Sequence, residues 1–220
     1  QGLVCCWVSP DKSKASMVEI NCETDFVART AEFQEFARTL AKLTADSGIT
    51  SADALLKMTY PGLKETLHAA LKEKVGKLGE NMLVRRAISL SGDGKSVISH
   101  YVHSPMDNAP ECGSLGVLVR ATCDKKSDEV SESVREICLQ VAAAAPKWLS
   151  KEQVPAATVE SEKAIYKEQC KQSGKPEKAW DKILEGKLKD FYQMFCLLEQ
   201  PNVRDTKSTV RALIESQSTK

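Results

Sequence analysis

Apolar and polar residues alternate through Val18-Glu19-Ile20-Asn21, and a polar run from Cys22 to Asp25 ends that strand pattern. The period then changes. Phe33, Phe36, Ala37, Leu40 and Ala41 recur at helical spacing, with Thr30 placed three residues before Phe33 as an N-cap and Ser47-Gly48 as a stop. Ahead of this pair, Leu3 to Val8 predicts a strand that turns between Ser9 and Lys14. Beyond it, Ser51 caps a short helix through Leu55 and Leu56, and Pro61 opens another carrying Leu63, Leu67, Ala70, Leu71, Val75 and Leu78. Met82 to Leu90 alternates again and predicts a third strand.

The second half repeats this plan. Val97 to Val102 and Val117 to Thr122 read as strands joined by a long loop from His103 to Gly116. The helix that follows carries Val134, Ile137, Cys138, Val141 and Ala142, which fall on Phe33, Phe36, Ala37, Leu40 and Ala41 at one constant shift. The strand-to-helix corners differ. The second corner, Asp124-Lys125-Lys126-Ser127-Asp128, has no apolar residue, whereas the first holds Phe26. Phe26 can be read as a staple residue tucked near Phe33, or as a ring presented outward. A scaffold that required an aromatic at this corner would have kept one in its copy, and this favours the outward reading.

Pro146 to Ser150 breaks the second helix. Two charged helical stretches follow, from Ala157 to Gln172 and from Pro176 to about Leu198, with Ser173-Gly174-Lys175-Pro176 between them. Glycine closing one helix and proline opening the next predicts an antiparallel hairpin, Val159, Ile165 and Tyr166 facing Trp180, Ile183, Leu184 and Leu188. Its charge density favours a projecting hairpin, and a tail from Ser208 to Lys220 finishes the chain. The expected fold is α+β, with two related subdomains over residues 1–92 and 93–220. Each is a small antiparallel sheet packed against helices, the first three-stranded, and the hairpin spans about 157–198.

Composition removes several functions. A net charge of +1, with lysines matched locally by glutamates, supplies no basic stripe for nucleic acid and no attraction to anionic membranes. No apolar run is long enough to span a bilayer. Gln1 opens inside a strand pattern, which points to a processed or truncated product. None of the eight cysteines stands as C-x-x-C, and most fill positions suited to a small hydrophobe, as reduced thiols of an intracellular compartment do. His100, His103 and Cys112 could be grouped as metal ligands, but a further ligand is lacking and alternation puts the two histidines on opposite strand faces. Gly92-Asp93-Gly94-Lys95-Ser96 ends like a phosphate-binding loop, yet Ser89 stands where its first glycine belongs and a strand follows instead of a helix, so no nucleotide site is assigned. Three histidines and scattered acids assemble no nucleophile with an adjacent base, which argues against an enzyme and against any cofactor.

Asn21-Cys22-Glu23-Thr24-Asp25-Phe26-Val27-Ala28 resembles the N-C-x-T-D-F-V-A signature of the elongation factor Ts family, exchange factors for the GTPase elongation factor Tu. Gly79-Glu80-Asn81 with Arg85-Arg86, Gly116-Val117-Leu118-Val119 and Ser173-Gly174-Lys175-Pro176 resemble further family segments in the same order. The resemblance implies a guanine-nucleotide exchange factor of translation that performs no covalent chemistry. In it, Asp25 and Phe26 enter between two helices on the magnesium side of the GTPase, with Thr24 and Val27 setting the corner. Gly79, Glu80, Asn81 and His103 are secondary contact candidates. Glu23 stands where bacterial relatives often have Gln, and the resemblance together with the cysteines points to a mitochondrial matrix form, a plastid or bacterial cytoplasm being the alternative. The competing functional class is an RNA-binding or ribosome-associated module without exchange activity.

Overall fold

A computed structural model describes residues 1–124 and 126–218, and its contacts divide the chain into two units, Gln1–Ala142 and Ala143–Lys220. The first unit holds five strands, β1 (Gly2–Val8), β2 (Lys14–Asn21), β3 (Leu83–Ser91), β4 (Ser96–Met106) and β5 (Ala109–Thr122). Its helices are α1 (Asp25–Ala28), α2 (Ala31–Ser47), α3 (Ala52–Leu56), α4 (Leu67–Leu78) and α5 (Asp128–Ala144). The strands form one antiparallel sheet in the order β3-β2-β1-β5-β4.

That sheet joins two smaller ones. β1 and β2 pair from Gly2↔Asn21 to Val8↔Ala15, and β4 pairs with β5 along most of its length. The seam between the two sets is only Val4↔Gly113 and Cys5↔Cys112. Close approach there depends on missing side chains. A Cβ on Gly116 would lie 2.7 Å from the Met17 sulfur and from Val4 of the first set, while one on Gly113 would lie 2.5 Å from the His103 carbonyl oxygen of β4, within the second.

α2 forms because its apolar residues recur at helical spacing and both ends are closed. The Thr30 hydroxyl accepts from the Phe33 amide at 3.2 Å, and Gly48 ends the helix in the left-handed conformation, φ 70°. Phe33, Phe36 and Leu40 are fully buried with Val18, Ile20 and Cys5 of the sheet. Ser16, buried among them, donates to the Ala41 carbonyl at 2.5 Å, so its hydroxyl is satisfied. On α5, Val134, Ile137 and Cys138 are buried and Val141 and Ala142 only half-buried.

Two expectations for this unit change. The helix assigned from Pro61 starts at Leu67, because the Thr66 hydroxyl accepts from the Ala69 amide and caps it there. Pro61, the left-handed Gly62 (φ 82°) and the exposed Leu63 lie in the preceding turn, closed by a Thr59↔Thr66 bridge. The long loop from His103 to Gly116 is strand almost throughout, turning only at Asp107 and Asn108. Arg38 on α2 holds that tip by pairing with Glu111 and donating to the Asn108 carbonyl. A bulge at Pro105 and Met106 absorbs the proline within the strand. The Gly92 to Ser96 segment is the β3–β4 turn, its Asp93 carboxylate accepting from the Lys95 amide and the Ser96 hydroxyl. Of the second corner, Lys125 lies outside the described residues.

The second unit is helical: α6 (Ala156–Gln172), α7 (Trp180–Phe195) and α8 (Val210–Ser218), with single 3-10 turns at Lys151–Gln153, Glu177–Ala179 and Leu197–Glu199. Left-handed Gly174 ends α6, and the Trp180 indole donates to the Lys175 carbonyl across the turn. α6 and α7 run antiparallel: the Lys187 amine donates to Gln169 at 2.8 Å and lies 5.2 Å from the Tyr166 ring centre. Along the hairpin only Cys170, Leu184 and Phe191 are buried, and Ile165, expected at its seam, is exposed. Val154, Phe191 and Cys196 form a small core with Trp148 and Phe195. The expected tail contains α8, anchored by buried Val210, while Thr219 and Lys220 lie outside the described residues.

Candidate functional site

The corner after β2 is itself a helix. Thr24 is extended and its hydroxyl accepts from the Val27 amide at 3.3 Å, which starts the single turn α1. On one turn, Asp25 and Phe26 point away from the sheet while Val27 and Ala28 point into the core. Thr30 closes the turn, its hydroxyl donating to the Val27 carbonyl at 2.8 Å before it caps α2. Phe26 is left 78% exposed, more than any other large apolar side chain among the described residues. Removing such a ring from water is worth about 1.5–3 kcal/mol, which the free chain largely forgoes. Phe33 is buried in the core while Phe26 is not among the residues packed against it, so Phe26 is no staple.

Asp25 is also exposed and lies 3.4 Å from Arg29, an ion pair too solvated to hold either side chain firmly. The corner thus offers an aromatic ring with a carboxylate beside it.

A second turn holds the first in place. Gly79 closes α4 in the left-handed conformation, φ 74°, and turns the chain toward β3. The next residue, Glu80, reaches the corner. Its carboxylate accepts from the Glu23 amide at 3.1 Å, the Thr24 amide at 3.0 Å and the Thr24 hydroxyl at 2.5 Å. The Glu23 carboxylate in turn accepts from the Asn81 amide at 3.0 Å. Hydrogen bonding from Thr24, which outweighs the opposing effect of burial, holds Glu80 below the usual carboxylate range.

Seven of the eight site residues expected from sequence are therefore in one place: Thr24, Asp25, Phe26 and Val27 on the corner, and Gly79, Glu80 and Asn81 on the turn that grips it. Val27 contributes from inside, being 8% exposed. His103 is elsewhere. It is exposed on β4, at the opposite edge of the sheet from β3, with its Nδ1 3.0 Å from the Tyr101 hydroxyl. Sequence reading missed the helical turn α1 and the mutual grip of Glu23 and Glu80. A signal for α1 existed in Thr24, three residues before the apolar Val27. None existed for a contact spanning 56 residues.

A sequence model of the family described as Elongation factor TS matches residues 23–220. The chain is 39% identical to the elongation factor Ts of Clostridium botulinum (strain Alaska E43 / Type E3) over 218 residues, 99% of this chain and 69% of that protein. It is 38% identical to the elongation factor Ts of Clostridium perfringens (strain SM101 / Type A) and 39% identical to that of Clostridium kluyveri (strain NBRC 12016), with the same coverage of both chains.

Proposed function

The chain belongs to the elongation factor Ts family, and from that membership we propose that it is a guanine-nucleotide exchange factor that binds elongation factor Tu carrying GDP and speeds GDP release. The observation that carries the reading is Phe26, a ring 78% exposed on a corner otherwise tied down by hydrogen bonds. A protein gains nothing in its own stability by holding an aromatic ring in water, so the ring's free energy is realised in a complex.

In the mechanism we propose, Phe26 fills an apolar slot between two helices on the magnesium side of the GTPase, and Asp25 hydrogen-bonds to or repels groups beside it. The helices shift, the metal loses ligands and GDP leaves. The chain makes and breaks no covalent bond and holds no nucleotide or cofactor itself. Exchange is differential binding: the factor holds the nucleotide-free partner more tightly than the GDP-bound one, and nucleotide weakens the factor's grip by the same ratio. Thr24 and Val27 set the corner, and Gly79, Glu80 and Asn81 are secondary.

We also take residues 1–92 and 93–220 as two subdomains meeting at the Gly92–Ser96 turn, with His103 of the second reaching another domain of the partner. We propose the mitochondrial matrix as its compartment, on its eight cysteines and on Glu23. The relatives named above are bacterial, which fits a bacterial cytoplasm as well. The test is release of a fluorescent GDP analogue from elongation factor Tu: acceleration by this chain supports the reading. Retention of RNA with no acceleration would favour the RNA-binding alternative.

A further inference from the structure

Glu80 was a candidate contact on sequence grounds, but its geometry assigns it other work. A carboxylate has two oxygens, and both are engaged. Oε2 takes the Glu23 and Thr24 amides, and Oε1 takes the Thr24 hydroxyl. The Thr24 hydroxyl has one proton, which goes to Glu80, so a lone pair is left for the Val27 amide. A chain of hydrogen bonds therefore runs from Glu80 through Thr24 to the first turn of α1, and that turn decides that Phe26 points out while Val27 points in. The grip is mutual, since Glu23 accepts from the amide of Asn81, next to Glu80. Four residues is too short for a helix to persist by its own backbone bonds, so α1 depends on its cap.

We infer that Glu80 is a positioning residue: it sets the orientation in which Phe26 is presented and makes no contact with the partner. This deepens the exchange reading and rests on it. Hydrogen bonds to an ionised carboxylate are the strong kind, and a ring a fraction of an ångström out of place loses its slot. Gln at this position keeps an acceptor for the amides but offers an N–H where the Thr24 hydroxyl needs an acceptor, so it conserves only part of the chain.

The test is stimulated release of a fluorescent GDP analogue from elongation factor Tu with Glu80→Ala, Thr24→Val, the two combined, Thr24→Ser and Phe26→Ala. Expected are losses of about tenfold for Glu80→Ala and for Thr24→Val, a double variant within about twofold of either, and recovery by Thr24→Ser. Amide hydrogen exchange should quicken over residues 23–28 in the first two while Val18, Ile20 and Phe36 stay protected, which separates a loosened corner from an unfolded chain. If Phe26→Ala keeps full activity, the assignment of Phe26 as the wedge fails first, and with it the inference that rests on it. If Phe26→Ala is impaired but Glu80→Ala and Thr24→Val multiply, or Thr24→Val is silent, Glu80 touches the partner and the inference is overturned. An active Glu80→Ala, or one whose corner exchanges at the normal rate, overturns it equally.

Discussion

Replacing Phe26 with alanine should separate activity from stability. With 78% of the residue exposed in the free chain, most of the benefit of burying a phenylalanine, about 2 kcal/mol, is available only in the complex. A loss of about 2 kcal/mol corresponds to about thirtyfold in the rate constant for stimulated GDP release at subsaturating factor. The same change should cost the free chain less than about 0.5 kcal/mol, since an exposed side chain leaves no cavity. Phe33→Ala supplies the opposite case. Phe33 is fully buried between α2 and the sheet, so its removal should cost about 3–5 kcal/mol. Stopped-flow release of fluorescent GDP from elongation factor Tu gives the first quantity, and urea titration followed by circular dichroism gives the second. The reasoning is refuted if Phe26→Ala slows stimulated release by less than about twofold, or if it lowers the urea midpoint as far as Phe33→Ala does.

Gly113→Ala should destabilise the β4–β5 pairing by about 1–3 kcal/mol, because its Cβ meets the His103 backbone oxygen of β4 at 2.5 Å, which cannot give way; a wild-type urea midpoint would contradict this. Stability should fall as pH drops through the carboxylate range. Hydrogen bonds from Lys74 and Lys77 lower Glu32, the Thr24 hydroxyl lowers Glu80, and for Glu19 burial acts upward but Arg86 and Arg85 outweigh it. Each folded-state pKa lies below the ordinary 4.5, so the stabilisation is complete above that value and is lost as pH falls through the lower folded values. Urea midpoints measured from about pH 6 to about pH 3 should decline, and Glu19→Gln should flatten part of that decline. Among the eight cysteines, Cys123 should be alkylated first in the native chain, since it alone is not buried. Burial pushes Cys6 up to about 12 and Cys138 to about 11, and a hydrogen bond with Cys112 followed by burial raises Cys5. Peptide mapping after brief iodoacetamide treatment checks the order, and early labelling of Cys6 would contradict it.

Where residues close in sequence determine an element, the sequence was sufficient. Thr30, the Phe33 to Ala41 stripe and Gly48 specify α2 end to end, and the structure uses each as expected. Pro61 misled because proline suits a helix start, yet Gly62 takes a left-handed conformation and Thr66 offers the better cap four residues later. The segment from His103 to Gly116, expected as a long loop, contains Pro105, Asn108 and Pro110. They are accommodated by a bulge, a two-residue turn and the distant Arg38, which no local pattern displays. The same limit applied at the candidate site. Phe26 was visible as an aromatic out of place, and comparison with the second corner indicated that it faces outward. The partnership of Glu80 with Thr24 joins chain segments that only the fold brings together.

The most direct test of the account is to put a photoreactive phenylalanine analogue at position 26 and irradiate the chain with elongation factor Tu, with and without excess GDP. The account predicts a cross-link to the GTPase that forms readily when the partner is nucleotide-free and is suppressed by GDP. Cross-linking only within the chain itself, or to the GTPase with no dependence on GDP, would contradict it.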